Sequence, residues 1–350
     1  MAQDTAEPST AGVPAVELGS GSQSLTTTAL GYGAMSIAGA YGHIEEQAAL
    51  ELLHGVYDRG VTFIDTANIY GRGVSESILG RFLTGRRHEI ALATKCGIVP
   101  GAEVGKRSVN GRPEHIREQI DLSLGRLGTD YVDLYYLHRP DPDVPVEESV
   151  GALAELIQAG KVRGIGLSEH TGEEIRRGHA EHPITAVQSE WSIFARDVER
   201  YVIPACAELG IGFVAFSPVG RGILTDHFDP GGLAENDVRR KFPWFAAENI
   251  AHNHDLAGRV RALAAESDLP TAGLALAWLY AKAAMFGLHL AAIPGTRYVN
   301  HLDELLAGTD AELSAEAIAV LDALADQVHG DRSFNSAWVS GGREGLLPRS

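Results

Sequence analysis

Val132-Asp133-Leu134-Tyr135-Tyr136-Leu137-His138 is followed by a polar bend, then by Pro145–Ala159, then by Gly160 and Val162-Arg163-Gly164-Ile165-Gly166-Leu167-Ser168. The first and third runs are short and apolar without strict alternation. That pattern belongs to strands buried on both faces of a parallel sheet. The middle run is amphipathic, and a glycine stands where a helix stops. Strand, helix and strand in that order make a right-handed crossover unit, the building block of α/β folds. Working outward, the same unit recurs. Strands are expected at Ala29–Met35, Thr62–Asp65, Ile90–Lys95, Ala186–Glu190, Gly212–Ser217 and Leu290–Pro294. Helices are expected at Glu45–Arg59, Pro113–Leu127 and Ala195–Leu209, stopping at Gly60, Gly128 and Gly210. Eight strands without an obvious midpoint predict a single-domain (β/α)8 TIM barrel rather than an open doubly wound sheet.

Other segments fall outside the rhythm. An N-terminal β-hairpin is expected ahead of the barrel. After the seventh strand, Pro218–Asn253 has little periodicity, and a loop that long usually carries function. His254–Glu266, Thr271–Met285 and Ser314–Val328 read as helices. The expected organisation is a disordered tail over 1–14, a barrel over 15–329 and a C-terminal tail over 330–350 that either frays or closes part of the pocket.

The chain has 350 residues, 45% hydrophobic and 21% charged, with a formal net charge of −17. So acidic a surface argues against binding nucleic acid or an anionic membrane. Cys96 and Cys206 are the only cysteines, which fits free thiols in a reducing compartment. Met1–Pro14 lacks a basic and apolar leader, and no apolar stretch reaches the roughly 18 residues of a membrane span. A cytoplasmic location is expected. Gly31-Tyr32-Gly33 lacks the third glycine of a dinucleotide fingerprint, and His252 and His254 lack zinc-type partners. No metal is expected.

In a barrel, the C-terminal strand ends face the active site. Those ends place Asp65, Lys95 and His138 on successive strands, with Tyr70 in the loop after Asp65. Such a set suits carbonyl chemistry. A phenol is a poor acid at neutral pH, and a neighbouring ammonium lowers its pKa. Lys95 would supply that charge and Asp65 would hold it. Tyr70 would protonate a carbonyl oxygen that His138 orients. Reduction then needs a hydride donor.

Phe63-Ile64-Asp65-Thr66-Ala67-Asn68-Ile69-Tyr70-Gly71 resembles the signature of the aldo-keto reductase superfamily. Ala93-Thr94-Lys95, Leu134-Tyr135-Tyr136-Leu137-His138-Arg139, Gly164-Ile165-Gly166-Leu167-Ser168-Glu169, Gln188-Ser189-Glu190, Phe216–Gly222 and Ile293-Pro294-Gly295-Thr296 are similar to its other segments. Arg239-Arg240-Lys241-Phe242-Pro243 resembles its bacterial, fungal and plant branch. The resemblance implies NADPH-dependent reduction of a small-molecule aldehyde or ketone, with NADH a second candidate cofactor. It assigns Tyr70 as general acid, assisted by Lys95, Asp65 and His138. Ser168, Glu169 and Gln188 would meet the nicotinamide amide, Trp191 would stack on its ring, and Ser217, Pro218, Val219, Gly220 and Arg221 would wrap the pyrophosphate. Gly295, Thr296, Arg297, His301 and Glu304 would hold the adenosine phosphate. Met35, Tyr41, Arg139, Phe334 and Trp338 are candidates for the substrate pocket. Arg139 would grip an anionic substrate or pair with Asp141 or Asp143. Two other functions fit the fold: a regulatory protein like the potassium-channel β-subunits, and a Schiff-base lyase using Lys95. A homo-oligomer is compatible with the family.

Overall fold

Every second residue of the barrel strands points inward, and this parity decides what the mouth contains. The computed structural model describes residues 12–99, 108–235 and 237–344. Strands β1 (Ala15–Leu18) and β2 (Leu25–Thr28) form an antiparallel hairpin. Then come β3 (Gly31–Gly33), α1 (Glu46–Asp58), β4 (Phe63–Asp65), α2 (Val74–Phe82), β5 (Ala91–Cys96), α3 (Pro113–Leu127), β6 (Val132–Leu137), α4 (Val146–Gln158) and β7 (Val162–Ser168). They are followed by α5 (Gly172–Glu181), β8 (Ala186–Glu190), α6 (Val202–Leu209), β9 (Gly212–Phe216), α7 (Ile250–Glu266), α8 (Thr271–Met285), β10 (Leu290–Ile293), α9 (Val299–Leu306) and α10 (Ala315–Asp322).

Strands β3 to β10 pair in parallel, each with its sequence neighbour. The seam closes through a parallel bridge from Leu30 to Ala292, and the Gly33 N–H donates to the Pro294 carbonyl at 3.0 Å. The result is the (β/α)8 barrel. Phe63, Ala93, Leu134, Tyr136, Ala186, Val214, Ala291 and Ile293 fill its interior, with Leu18 of the hairpin sealing the N-terminal end. A side chain at Gly166 would meet the Tyr136 ring at 2.4 Å, so only glycine lets that tyrosine occupy the centre. A larger apolar layer lies between strands and helices.

Helices α3 and α8 have the bounds their sequence predicts, and α3 starts on Pro113 and ends at Gly128 with φ 62°. Three short helices stand where none is expected: α2, α5 and α9 are each ten residues or fewer. Helix α5 buries little but Ile175, yet Thr171 and Glu174 form a reciprocal capping box at its start. The expected helix Ala195–Leu209 is regular only from Val202, after a 3-10 turn at Asp197–Glu199. The expected helix Ser314–Val328 stops at Asp322, and a 3-10 turn follows at Ala325–Gln327. Residues 1–11, most of the expected N-terminal tail, lie outside the described residues. Among the described residues no helix is long and apolar enough to cross a membrane.

Candidate active site

A cavity of about 420 Å³ opens at the C-terminal ends of the strands. Inward parity explains its floor. Phe63 faces the barrel interior, so Asp65 does too; Ala93 predicts Lys95, Tyr136 predicts His138, and Ala186 predicts Gln188. Asp65, Tyr70, His138, Ser168 and Gln188 line the cavity. Lys95 lies beneath them, fully buried. Its ammonium donates to Asp65 Oδ1 and, at 2.7 Å, to the Thr66 carbonyl. The other Asp65 oxygen accepts from the Gln188 amide at 2.8 Å. The Tyr70 ring stands 5.3 Å from Lys95 Nζ and 6.0 Å, edge-on, from the His138 ring.

The electrostatics differ from the expectation in one respect. Burial raises the Tyr70 phenol above its ordinary value, and the pull of Lys95 offsets this only in part. The proton therefore stays on Tyr70, which suits a donor. Burial, together with Arg139 and Lys95, holds His138 well below the usual imidazole range. A neutral ring can orient an oxygen by hydrogen bonding, and its Nδ1 is buried without a partner.

The cofactor candidates fall into three groups. Ser217, Pro218, Val219 and Arg221 line the cavity, whereas Gly220 is buried just behind it and Gly222 takes its place in the wall. Ser217 at φ 50° and Arg221 at φ 58° give this turn a left-handed backbone outside glycine. The Arg221 guanidinium pairs with the buried Glu190 at 2.6 Å and stacks over Phe242 at 3.8 Å. At the far end, Gly295, Thr296, Arg297, His301 and Glu304 line the cavity as expected. His227, from the long loop, joins them: its ring stacks on His301 at 4.3 Å and Nε2 lies 2.7 Å from Glu304 Oε1. These three groups are metal-type donors, but nearly parallel stacked imidazoles aim their lone pairs side by side rather than at one point.

Two assignments need correction. Trp191 does not line the cavity. It follows Glu190, an inward position, so it faces the helices, where it packs edge-on against Phe213, Trp278 and Phe286 and donates to Glu199. The aromatic ring at the mouth is Phe216, which shares the inward parity of Val214. Glu169 is also absent from the wall. It is fully buried, with φ 56°, and grips Arg332 through both oxygens at 2.9 Å.

Arg332 belongs to the C-terminal tail, which is docked rather than frayed over 330–344. Its guanidinium also reaches Asp197 at 2.8 Å, the Ser340 N–H donates to Glu169, Arg343 pairs with Glu174, and the Gly172 N–H donates to Glu344. Neither Phe334 nor Trp338 lines the cavity, contrary to expectation. Phe334 is 54% exposed against Phe242, and Trp338 approaches only the Arg139 guanidinium, at 6.0 Å. Met35, Tyr41 and Arg139 do line it. Beyond the Pro218–Arg221 turn, the long loop adds Thr225, Phe228, Leu233 and Arg239 to the wall, none of them a site residue expected from sequence.

Known proteins resemble this chain in sequence and fold. The chain is 38% identical over 324 residues to the probable aldo-keto reductase 1 of Glycine max, covering 90% of this chain and 91% of that one. It superposes on a glycerol dehydrogenase from Gluconobacter oxydans with a TM-score of 0.78 at 25% identity, over 89% of this chain and 94% of the other. An aldo-keto reductase from Bacillus halodurans in its holo form gives 0.72 at 27% identity, over 92% and 100%. The family model for the aldo/keto reductases matches residues 29–326, from just before β3 to the 3-10 turn after α10, and the chain belongs to that family.

Proposed function

We propose that the protein reduces an aldehyde or ketone to an alcohol, with NADPH as hydride donor. The observation that carries this reading is the phenol of Tyr70 at the cavity wall, set between the neutral His138 ring and the sealed Lys95–Asp65 pair. The reduced nicotinamide supplies the hydride when bound. Tyr70 gives its proton to the carbonyl oxygen as negative charge develops there, and His138 holds that oxygen. Lys95 stabilises the phenolate left behind. Asp65, fixed by Gln188, keeps Lys95 in place.

The cavity suits a dinucleotide. Ser168 and Gln188 offer polar groups to an amide, and Phe216 offers the apolar face assigned to Trp191 from sequence. The turn from Ser217 to Gly222 suits a pyrophosphate. Arg297 makes no ion pair with a described residue, which leaves it for a 2′-phosphate, and His301 lines the same cavity. These groups favour NADPH over NADH. A Schiff-base lyase fits poorly, because the Lys95 nitrogen is buried, occupied and away from the cavity wall.

The test is a spectrophotometric assay of the purified protein with NADPH or NADH against a panel of aldehydes and ketones. Aldehyde-dependent oxidation of NADPH, faster than that of NADH, is expected. If neither nucleotide is oxidised nor bound in calorimetry, the reading is wrong.

A further inference from the structure

We propose that Arg139 is the anion-recognition group of the substrate subsite, so that the carbonyl compound reduced here carries a carboxylate. This rests on the reductase reading above and narrows its substrate class.

Arg139 follows His138 at the mouth, and its side chain lines the cavity with Tyr70 and Ser168. Its Nη1 donates to the His138 carbonyl at 2.6 Å and to Ser168 Oγ at 3.2 Å. Those two bonds fix the guanidinium plane. Nε is buried with no partner, and Nη2 makes no hydrogen bond with a described residue. Nε and Nη2 form one edge of the guanidinium, with two parallel N–H bonds spaced to match the two oxygens of a carboxylate.

No described carboxylate fills that edge. Glu169 exerts the strongest opposite-charge influence on Arg139, yet its oxygens are taken by Arg332, the Ser340 N–H and the Glu190 N–H. Asp141, one partner considered from sequence, accepts instead from the Gly111 and Asp143 N–H groups. Neither Asp141 nor Asp143 forms an ion pair with Arg139. Two other cavity guanidiniums are already matched: Arg221 by Glu190, and Arg239 by Asp237. A half-buried cation with an open edge is costly, and arginine cannot escape the cost by losing its proton. Because its plane is already held, little entropy is lost when a carboxylate docks. Met35 and Tyr41 provide an apolar wall for the rest of the molecule.

The experiment compares 2-, 3- and 4-carboxybenzaldehyde with the three methylbenzaldehydes, using the full chain and NADPH. In the wild type at least one carboxy isomer is expected to exceed its methyl counterpart about tenfold or more in kcat/KM, mainly through KM, the size of one charge-assisted hydrogen bond. Arg139→Leu should bring that ratio to unity or below, and Arg139→Lys should restore part of it. Equal values for both series in the wild type, or a parallel fall in both with Arg139→Leu, would overturn the inference and leave Arg139 as a positioning group for Ser168. The corresponding carboxybenzyl and methylbenzyl alcohols, titrated by calorimetry with NADPH present, form a dead-end pair that cannot react and give a readout free of turnover. Tighter binding of the carboxybenzyl alcohol that Arg139→Leu abolishes, with no aldehyde reduced, would keep the anion site and sink the reductase reading.

Discussion

Two buried ion pairs sit on the same end of this barrel, and they differ in what surrounds them. Lys95 and Asp65 are buried at the cavity floor, and the Tyr70 ring, which lines the cavity, stands 5.3 Å from the Lys95 nitrogen. Arg332 and Glu169 are sealed under the C-terminal tail, where nearly every donor and acceptor is matched by Asp197, Ser340 or Glu190. The first pair spends its charge on a neighbour that has a proton to lose. The second has the buried Glu190 carboxyl beside it, which does not line the cavity, so its charge does not reach a group that opens to the mouth. Burial of opposite charges is therefore not the mark of an active site. The mark is a titratable group beside the pair, open to a cavity.

Substitutions can break this contrast from either side. The largest effect is expected at Tyr70→Phe, which should lower kcat by roughly 10²–10⁴-fold in steady-state assays while NADPH binding by calorimetry changes little. Retained turnover would remove the phenol from the mechanism. Next is Arg332→Ala. It leaves Glu169 buried without its counter-ion and should cost about 3–5 kcal/mol in urea unfolding, with proteolysis of the tail as a second sign.

A third test uses pH. Burial alone would raise the Glu169 carboxyl, but Arg332, with Arg139 and the Ser340 N–H, outweighs it and holds the group at about 2 against an ordinary 4.5. A depressed acid stabilises the fold in full above the ordinary value and loses that contribution as pH falls towards the folded one. The urea midpoint of the wild type should therefore drop between pH 4.5 and 2. Glu169→Gln should start lower and fall less across the same window. Parallel curves would mean that Glu169 is not the group being titrated. The smallest effect is expected at Arg297→Ala, which should weaken NADPH roughly 10-fold or more and NADH far less, as read by calorimetry. Equal losses would take the 2′-phosphate from Arg297.

The barrel and its floor were legible because both follow from short-range rules. Glycines end α3 and α6, and Asp65, Lys95 and His138 fall at strand ends. The placement of Trp191 also follows from a short-range rule. The alternation that turns Cys96 outward also turns Trp191 outward and brings Phe216 in. Helix α5 carried its own sign in Thr171 and Glu174, and apolar spacing alone passed over it. The tail was different. Arg332 meets Glu169 across 163 positions, and nothing local to either residue announces the other. The Lys95 charge was foreseen beside Tyr70, but the depth of burial that outweighs it belongs to the whole assembly.

The hairpin at the other end of the barrel has a kinetic consequence. Leu18 stops the N-terminal mouth, so the two reactants proposed above share a single doorway. Whatever rests on the floor against Ser168, Gln188 and Phe216 must arrive before whatever rests above it. The queue reverses on the way out. Initial-rate patterns should then show a compulsory order of addition, cofactor first and last to leave, imposed by a plug that touches neither reactant.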